Sequence, residues 1–271
     1  MNNSLLIGKG NGISRFLSSK LGISSIPSSE LKNIDLSKFT KIIYTSTDPS
    51  HLLKKDEMRN YLNKNIINIY RLLESKFTGE IIYFSSIDSG AYKVRKEENR
   101  NEIEEMYTPY SFSKYIAESL FLSHKKLESC TVLRLGLLWP TKENSNLFHA
   151  LHSKPEKIKL NLNSSYYLTP YSLILNFIKK NIMKNSKFEN RIGYLASSNK
   201  FTLSNILNLR NINHKLVMDN NYLYQTKTMD NEIDNFIEGN WFNWEKESDY
   251  NSLIAKALKT NGYEKILPNR I

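Results

Sequence analysis

The sequence predicts an α/β fold, a doubly wound parallel sheet, and three observations point there. A short apolar run, residues 4–7, ends at once in a glycine turn and a helical segment. Two further apolar runs, 41–47 and 79–86, each end in small hydroxyl residues and enclose a long amphipathic stretch. A fourth run, 130–140, follows a second helical stretch. Strands alternating with helices imply a parallel sheet, because parallel neighbours need a crossover between them.

The opening strand "SLLI" leads into "GKGNGISRFLSSKL". Gly8, Gly10 and Gly12 would let the backbone approach a pyrophosphate, and the helix beginning near Ile13 would favour its negative charge. Asn11 lies inside the same turn. A plain strand-to-helix turn would use such glycines too. "KIIYTST" then ends in Thr45 and Ser46, and "GEIIYFSS" in Ser85 and Ser86. In sheets of this kind ligands sit at the carboxyl ends of strands, and all of these residues fall at such ends. Between the two runs, Met58, Leu62, Ile66, Ile69 and Leu73 form one predicted apolar side of a helix. The run "CTVLRLGLLWP" reads as a further strand closed by Pro140.

Tyr110 and Lys114 stand four positions apart in "YTPYSFSKYIAESLFLSH". Pro109 suits a first helical turn, and Ile116, Leu120 and Phe121 supply an apolar stripe. Positions i and i+4 share a helix face, so the phenol and the ammonium project together. The same spacing recurs at Tyr92 and Lys96, but there in a charged run without an apolar stripe. That copy reads as a solvated surface segment.

Composition narrows the classes. Cys130 is the only cysteine, so no intrachain disulfide is possible, which fits a cytoplasmic setting. The formal charge is +11, but the lysines are spread along the chain with no basic cluster interleaved with aromatics, so no nucleic-acid partner is expected. His149 and His152 form no ligand pattern with cysteines or acids, and no metal is expected. The opening stretch has no basic region followed by a long apolar core, and "YYLTPYSLILNFI" is broken by Pro170 and too short to span a bilayer. Neither a signal peptide nor a membrane partner is expected.

Taken in order, "GKGNGISRFL", "NIINIYRLLES", "IIYFSSIDSGAY", "YSFSKYIAE" and "TVLRLGLLWP" resemble the motifs of the extended short-chain dehydrogenases/reductases. These are Rossmann-type, NAD(P)-dependent epimerases, dehydratases and reductases of sugar nucleotides. The likeness runs from about residue 4 to 210, where "RIGYLASSNKFTLSNIL" is similar to a late strand and helix; residues 211–271 carry none. It implies a dinucleotide-binding domain over 1–140 and, over 141–271, mostly a small C-terminal substrate-binding lobe with some elements returning to the sheet. It implies Tyr110 as acid/base, with Lys114 as its electrostatic partner and a ligand of the nicotinamide ribose. Ser86 would bond the reacting oxygen, with Ser85 as competitor, and Asn65 would steady the lysine through water. Gly8, Gly10, Asn11, Gly12, Ile13, Thr45 and Ser46 would line the cofactor, and Asp35 resembles an adenine-contacting acid. A nearby ammonium would lower the Tyr110 pKa.

The sequence also departs from the pattern. Asn11 and Ser14 replace the second and third glycines of the family's turn. The segment 22–41 is too short for the usual second strand, helix and third strand. Pro27, Ser28 and Ser29 stand where a ribose-reading acid is expected. Without that carboxylate a 2′-phosphate is not repelled, so between NAD and NADP the sequence leans to NADP. The resemblance implies a sugar-nucleotide epimerase or reductase of surface polysaccharide biosynthesis, and a homodimer formed through helices 55–76 and 108–125. Tyr61, Ile67 and Tyr115 are the extra apolar residues expected at that interface. A dehydratase is least expected, since Asp88 is the sole acid in "SSIDSG". The alternative is a catalytically weak cofactor-binding scaffold or sensor.

Overall fold

The computed structural model describes residues 3–10, 12–49, 56–90, 109–139, 162–183, 191–196 and 201–209. Asn11, Tyr92, Lys96, Pro140, His149, His152 and the segment 211–271 lie outside them. The described chain begins β1 (Ser4–Ile7), α1 (Gly12–Leu21), β2 (Ser24–Ile26), β3 (Lys41–Tyr44), α2 (Met58–Leu62) and α3 (Asn68–Glu74). It continues β4 (Glu80–Ser86), α4 (Ile87–Gly90), α5 (Pro109–Ser123), β5 (Ser129–Leu135), β6 (Leu137–Trp139), β7 (Ser165–Tyr166) and β8 (Leu168–Pro170). It ends with α6 (Tyr171–Met183), β9 (Arg191–Leu195), β10 (Phe201–Thr202) and α7 (Leu203–Leu209).

Six strands form one sheet in the order β2-β1-β3-β4-β5-β9. Parallel registers pair Ile7 with Ile26 and with Tyr44, and Tyr44 with Tyr83. The chain steps from β1 outward to β2, then returns across β1 to β3. The strand order therefore reverses between β1 and β3, and in sheets of this kind the carboxyl ends at such a reversal are where ligands bind. β1, β4 and β5 are buried along their whole length, as expected of parallel strands covered on both faces. The fold is the Rossmann-type doubly wound α/β fold.

On α1, Ile13, Leu17 and Leu21 recur at helical spacing and are buried. The helix stops at Gly22, whose φ of +63° is left-handed and whose N–H bonds Ser18 O at 2.9 Å. The short segment after it does contain a second strand, β2. What the shortage of residues removes is the following helix. Two 3-10 turns, Ser28–Asn33 and Leu36–Lys38, replace it, and each anchors one leucine, Leu31 and Leu36, in the core.

The amphipathic stretch between β3 and β4 differs from its predicted pattern. A π turn, Asn63–Ile67, joins α2 to α3. Its extra residue rotates the N-terminal part relative to the C-terminal part. Tyr61, Asn65, Ile69, Leu72 and Leu73 are buried, while Met58 and Leu62, expected on the core side, are exposed. The core on this side of the sheet joins Ile7, Ile42, Tyr44, Tyr83 and Val132 to Ile69, Leu72 and Phe121. At its centre the Tyr83 and Phe121 rings lie 4.9 Å apart, and Tyr44 meets Phe121 edge-on at 5.7 Å.

The described residues fall into two compact units, one within 1–134 and 178–193, the other within 135–177 and 194–271. In the second unit the predicted run 130–140 breaks at Gly136, and β6 pairs in parallel with β8 while β7 pairs antiparallel with β10. A Cβ at Gly136 would collide with Tyr167 O, and its N–H bonds Thr169 Oγ1 at 2.8 Å. Thr169 in turn donates to Leu195 O at 2.6 Å. Among the described residues no helix is long and apolar enough to cross a membrane.

Candidate active site

The glycine turn is fastened from both sides. Gly8 N–H and Lys9 N–H donate to Ile26 O at 2.7 and 3.0 Å, and Thr45 N–H and Ser46 N–H donate to Ile7 O at 2.8 and 3.1 Å. A Cβ on Gly8 would run into Thr45 Oγ1 and lie 2.8 Å from Ser14 Oγ, and its φ is +143°. Ser14 fills the place of a glycine without forcing α1 away, because its hydroxyl bonds Thr45 Oγ1 at 2.5 Å. Thr45 is thereby a structural bridge, also donating to Ile7 O at 3.1 Å. Gly10, with φ +106°, has nothing within 4 Å of a Cβ position. It lies beside the start of α1, where Gly12 and Ile13 begin the helix, and Arg15 Nη2 donates to its carbonyl at 3.5 Å.

Past the end of β2, Ser28 accepts from Ser46 Oγ at 2.9 Å and from Asn68 Nδ2 at 3.0 Å. Arg71 donates to Asn68 Oδ1 at 2.9 Å. This polar chain holds a hydroxyl where an acid was the expected residue. The structure does not bring Asp35 to this end of the sheet. Asp35 sits in the segment leading to the start of β3, exposed, accepting from Ser37 N–H at 3.1 Å and Ser37 Oγ at 2.6 Å. Those Ser37 bonds, with Lys38 and Lys76 adding positive charge, hold its carboxyl below the ordinary value. The shortened crossover uses Asp35 as a turn cap.

Asn65 Oδ1 accepts from Asp48 N–H at 2.7 Å and Thr47 Oγ1 at 3.2 Å, and its Nδ2 donates to Asp48 O at 3.0 Å. It also reaches Ser113 Oγ at 3.4 Å and bonds the Tyr61 hydroxyl. The amide is a clamp on the loop after β3 and ties it to Ser113, the residue before Lys114.

Ser86, Tyr110 and Lys114 do come together. Pro109 opens α5, which places Tyr110 half-buried and Lys114 buried on one face. Ser86 hydrogen-bonds the phenol, a pull that lowers its pKa, but burial foremost and the Asp88 charge next push it above the ordinary tyrosine value. The phenol therefore stands above its ordinary value, where the neighbouring ammonium was expected to hold it below. The Lys114 ammonium donates to Phe84 O at 2.7 Å and lies 4.9 Å from the Tyr83 ring centre and 5.8 Å from that of Tyr110. Burial brings it down to about 7, with Glu118 opposing. Ser85 is turned to other work: its hydroxyl donates to Glu118 at 2.5 Å.

Sequence reasoning missed Glu118, Arg134, Ser89 and Asn68. A signal for two of them was present: Glu118 stands four residues past Lys114, and Arg134 interrupts an otherwise apolar strand. A buried charge needs a partner, so each implied the other. Among the described residues no cluster of potential metal ligands exists.

No protein-family model matches the sequence, and no curated protein sequence matches it either. Solved structures do. The NAD-dependent NDP-hexosamine 5,6-dehydratase TunA, involved in tunicamycin biosynthesis, superposes with a TM-score of 0.67 at 10% identity, covering 97% of each chain. UDP-glucose 4-epimerase from Thermotoga maritima, solved with UDP-glucose, gives 0.62 at 15% identity over 97% of this chain and 98% of that one. RMD from Pseudomonas aeruginosa, complexed with NADPH, gives 0.62 at 13% identity over 97% and 100%. The chain thus has the fold of the extended short-chain dehydrogenases/reductases, and these structural neighbours are nicotinamide-dependent or sugar-nucleotide proteins.

Proposed function

We propose that the chain is an NAD(P)-dependent oxidoreductase or epimerase that acts on a nucleotide-linked sugar by hydride transfer, in surface polysaccharide biosynthesis. The observation that carries this reading is the meeting of Ser86, Tyr110 and Lys114 at the end of β4. The residues also fit a dinucleotide: Gly10 leaves open space at its Cβ position beside the helix N-terminus, which favours a pyrophosphate. Ser28 and Ser46 would face the adenosine ribose, and a hydroxyl there in place of a carboxylate supports NADP over NAD. When bound, the nicotinamide supplies the hydride acceptor or donor.

Tyr110 Oη would take or return the proton of the reacting sugar hydroxyl. Ser86 Oγ would hold the same oxygen in line. Lys114 would turn from Phe84 O to the nicotinamide ribose, bringing positive charge toward the phenol and offsetting its raised pKa. The second compact unit would hold the sugar nucleotide, and the chain would work as a homodimer. A second reading, a cofactor-binding scaffold or sensor, draws on one observation, the engagement of Lys114 with Phe84 O beside a phenol that is not acidified.

Calorimetric titration with NAD and NADP, followed by a turnover screen over sugar nucleotides, tests both readings. The enzyme reading expects binding and turnover. Binding with no turnover on any sugar nucleotide supports the scaffold, and no binding of either cofactor at millimolar concentration sinks both.

A further inference from the structure

Beneath the Tyr110–Lys114 face, one carboxylate joins three other side chains. Glu118, on α5 one turn past Lys114, pairs with Arg134 of β5: Nη2 to Oε2 at 2.8 Å and Nε to Oε1 at 3.1 Å. Their side chains are only 2% and 4% exposed. The Ser85 hydroxyl donates to Glu118 Oε1 at 2.5 Å. Ser89 Oγ lies 2.5 Å from the same oxygen and 2.6 Å from Ser86 O, so its single proton is shared between them.

A buried ion pair is a poor device for stability alone, since apolar replacements of both partners are often neutral or better. This one touches both sides of the candidate site. Ser85 and Ser89 flank Ser86 at the corner from β4 into α4, and Lys114 lies on the same helix as Glu118. We propose that Glu118 is a positioning residue for the Ser86–Tyr110–Lys114 set: it fixes the corner bearing Ser86 through Ser85 and Ser89, and lends its negative charge to Lys114. This role rests on the reading of that set as catalytic.

The electrostatics agree in direction. Burial depresses the Lys114 ammonium to about 7, and Glu118 pushes it back up. Around this cluster stand Tyr83, Cys130 and Arg134 from the sheet, Tyr61 from α2, Asp88 from α4 and Tyr110 from α5 itself. Tyr83, Tyr110 and Cys130 are all pushed upward by burial, away from the range where Lys114 titrates.

The test is an NMR titration of the full chain, free of cofactor, labelled at the lysine ε-carbon, with the Lys114 signal assigned by its loss in Lys114→Met. The wild type should titrate with a midpoint near 7. In Glu118→Gln the midpoint should move about one unit or more to lower pH. Should that variant fail to fold, Glu118→Gln with Arg134→Met removes both buried charges together, and the midpoint should still move to lower pH but by less, because losing the Arg134 cation favours the Lys114 ammonium while losing Glu118 disfavours it. An unchanged midpoint in a folded variant overturns the proposal. Calorimetry with NADP on the wild-type sample separates the two readings: absent cofactor binding there counts against the enzyme, while the midpoint still decides Glu118.

Discussion

The Lys114 ammonium donates to the Phe84 carbonyl at 2.7 Å, so its charge is directed at the backbone of β4, with the Tyr110 ring centre 5.8 Å away. Position i+4 on a helix brought the two side chains to one face, as the spacing requires. It did not fix where the four-carbon stem would aim. The carbonyl offers the buried ammonium the acceptor it needs.

That burial gives stability a pH dependence. The ordinary lysine value is 10.5 and the folded one about 7, so between those values the unfolded chain binds more protons than the folded one. Stability from this group therefore rises with pH above about 7 and is lost as pH falls towards it. From about pH 7 to about pH 8.5 the gain should be on the order of 1–2 kcal/mol, read as a rising urea midpoint. Lys114→Met should flatten that rise. A wild-type midpoint that falls over this range would contradict the burial of a titrating ammonium.

Tyr110→Phe removes only the proton-transferring oxygen. Turnover should fall by about 10²–10⁴-fold while cofactor affinity changes little. Lys114→Ala should harm both, and Tyr92→Phe neither. Spectroscopic titration of the cofactor-free protein should show the Tyr110 phenol ionising above the ordinary value of 10.0, since burial outweighs Ser86. Cofactor should draw that ionisation to lower pH. Full turnover in Tyr110→Phe would end the catalytic assignment.

The parallel sheet was legible because its strands are continuous apolar runs, and a run such as "EIIYFSS" has few other ways to bury itself. The glycine turn and the Tyr110–Lys114 face were legible from local spacing. Three features were not. The π turn at Asn63–Ile67 moved Met58 and Leu62 off the core side, and no propensity marks one inserted residue. Asp35 kept a motif's residue type but lost its place, because the crossover is too short to carry it there. Glu118 and Arg134 each signalled a need for a buried partner, but they lie in separate elements, and which charge answers which is settled only when the chain has folded.

Gly8 and Gly10 should respond differently to alanine. Both have positive φ, +143° and +106°, which alone costs about 1–3 kcal/mol for a residue with a Cβ. At Gly8 the Cβ also meets Thr45 Oγ1 and Ser14 Oγ, so the hydroxyl bridge between α1 and β3 must open. At Gly10 it meets nothing. Gly8→Ala should therefore be the more destabilising by about 1 kcal/mol or more in urea unfolding, because overpacking adds to strain. Gly10→Ala should chiefly weaken NADP binding. Equal losses of stability would show that backbone strain alone matters at this turn.

The proposed dimer draws on an apolar strip exposed among the described residues. Met58, Leu62, Ile67 and Tyr70 are exposed along the helical run from 58 to 74, and Phe112 is exposed on α5, which packs beside it. Of the residues expected at this interface, Tyr61 is excluded: it is buried within the protomer, its hydroxyl 2.9 Å from Ser113 Oγ. The π turn explains the exchange, since the same rotation that buries Tyr61 turns Leu62 outward. Two such helices from each of two copies would cover one another as a four-helix face. Light scattering at micromolar concentration should give twice the chain mass of 31.6 kDa. Leu62→Glu with Phe112→Glu should give a folded monomer, because both side chains are more than 40% exposed in the protomer and their loss opens no cavity in its core. A monomeric mass for the unaltered chain would leave the strip without this partner.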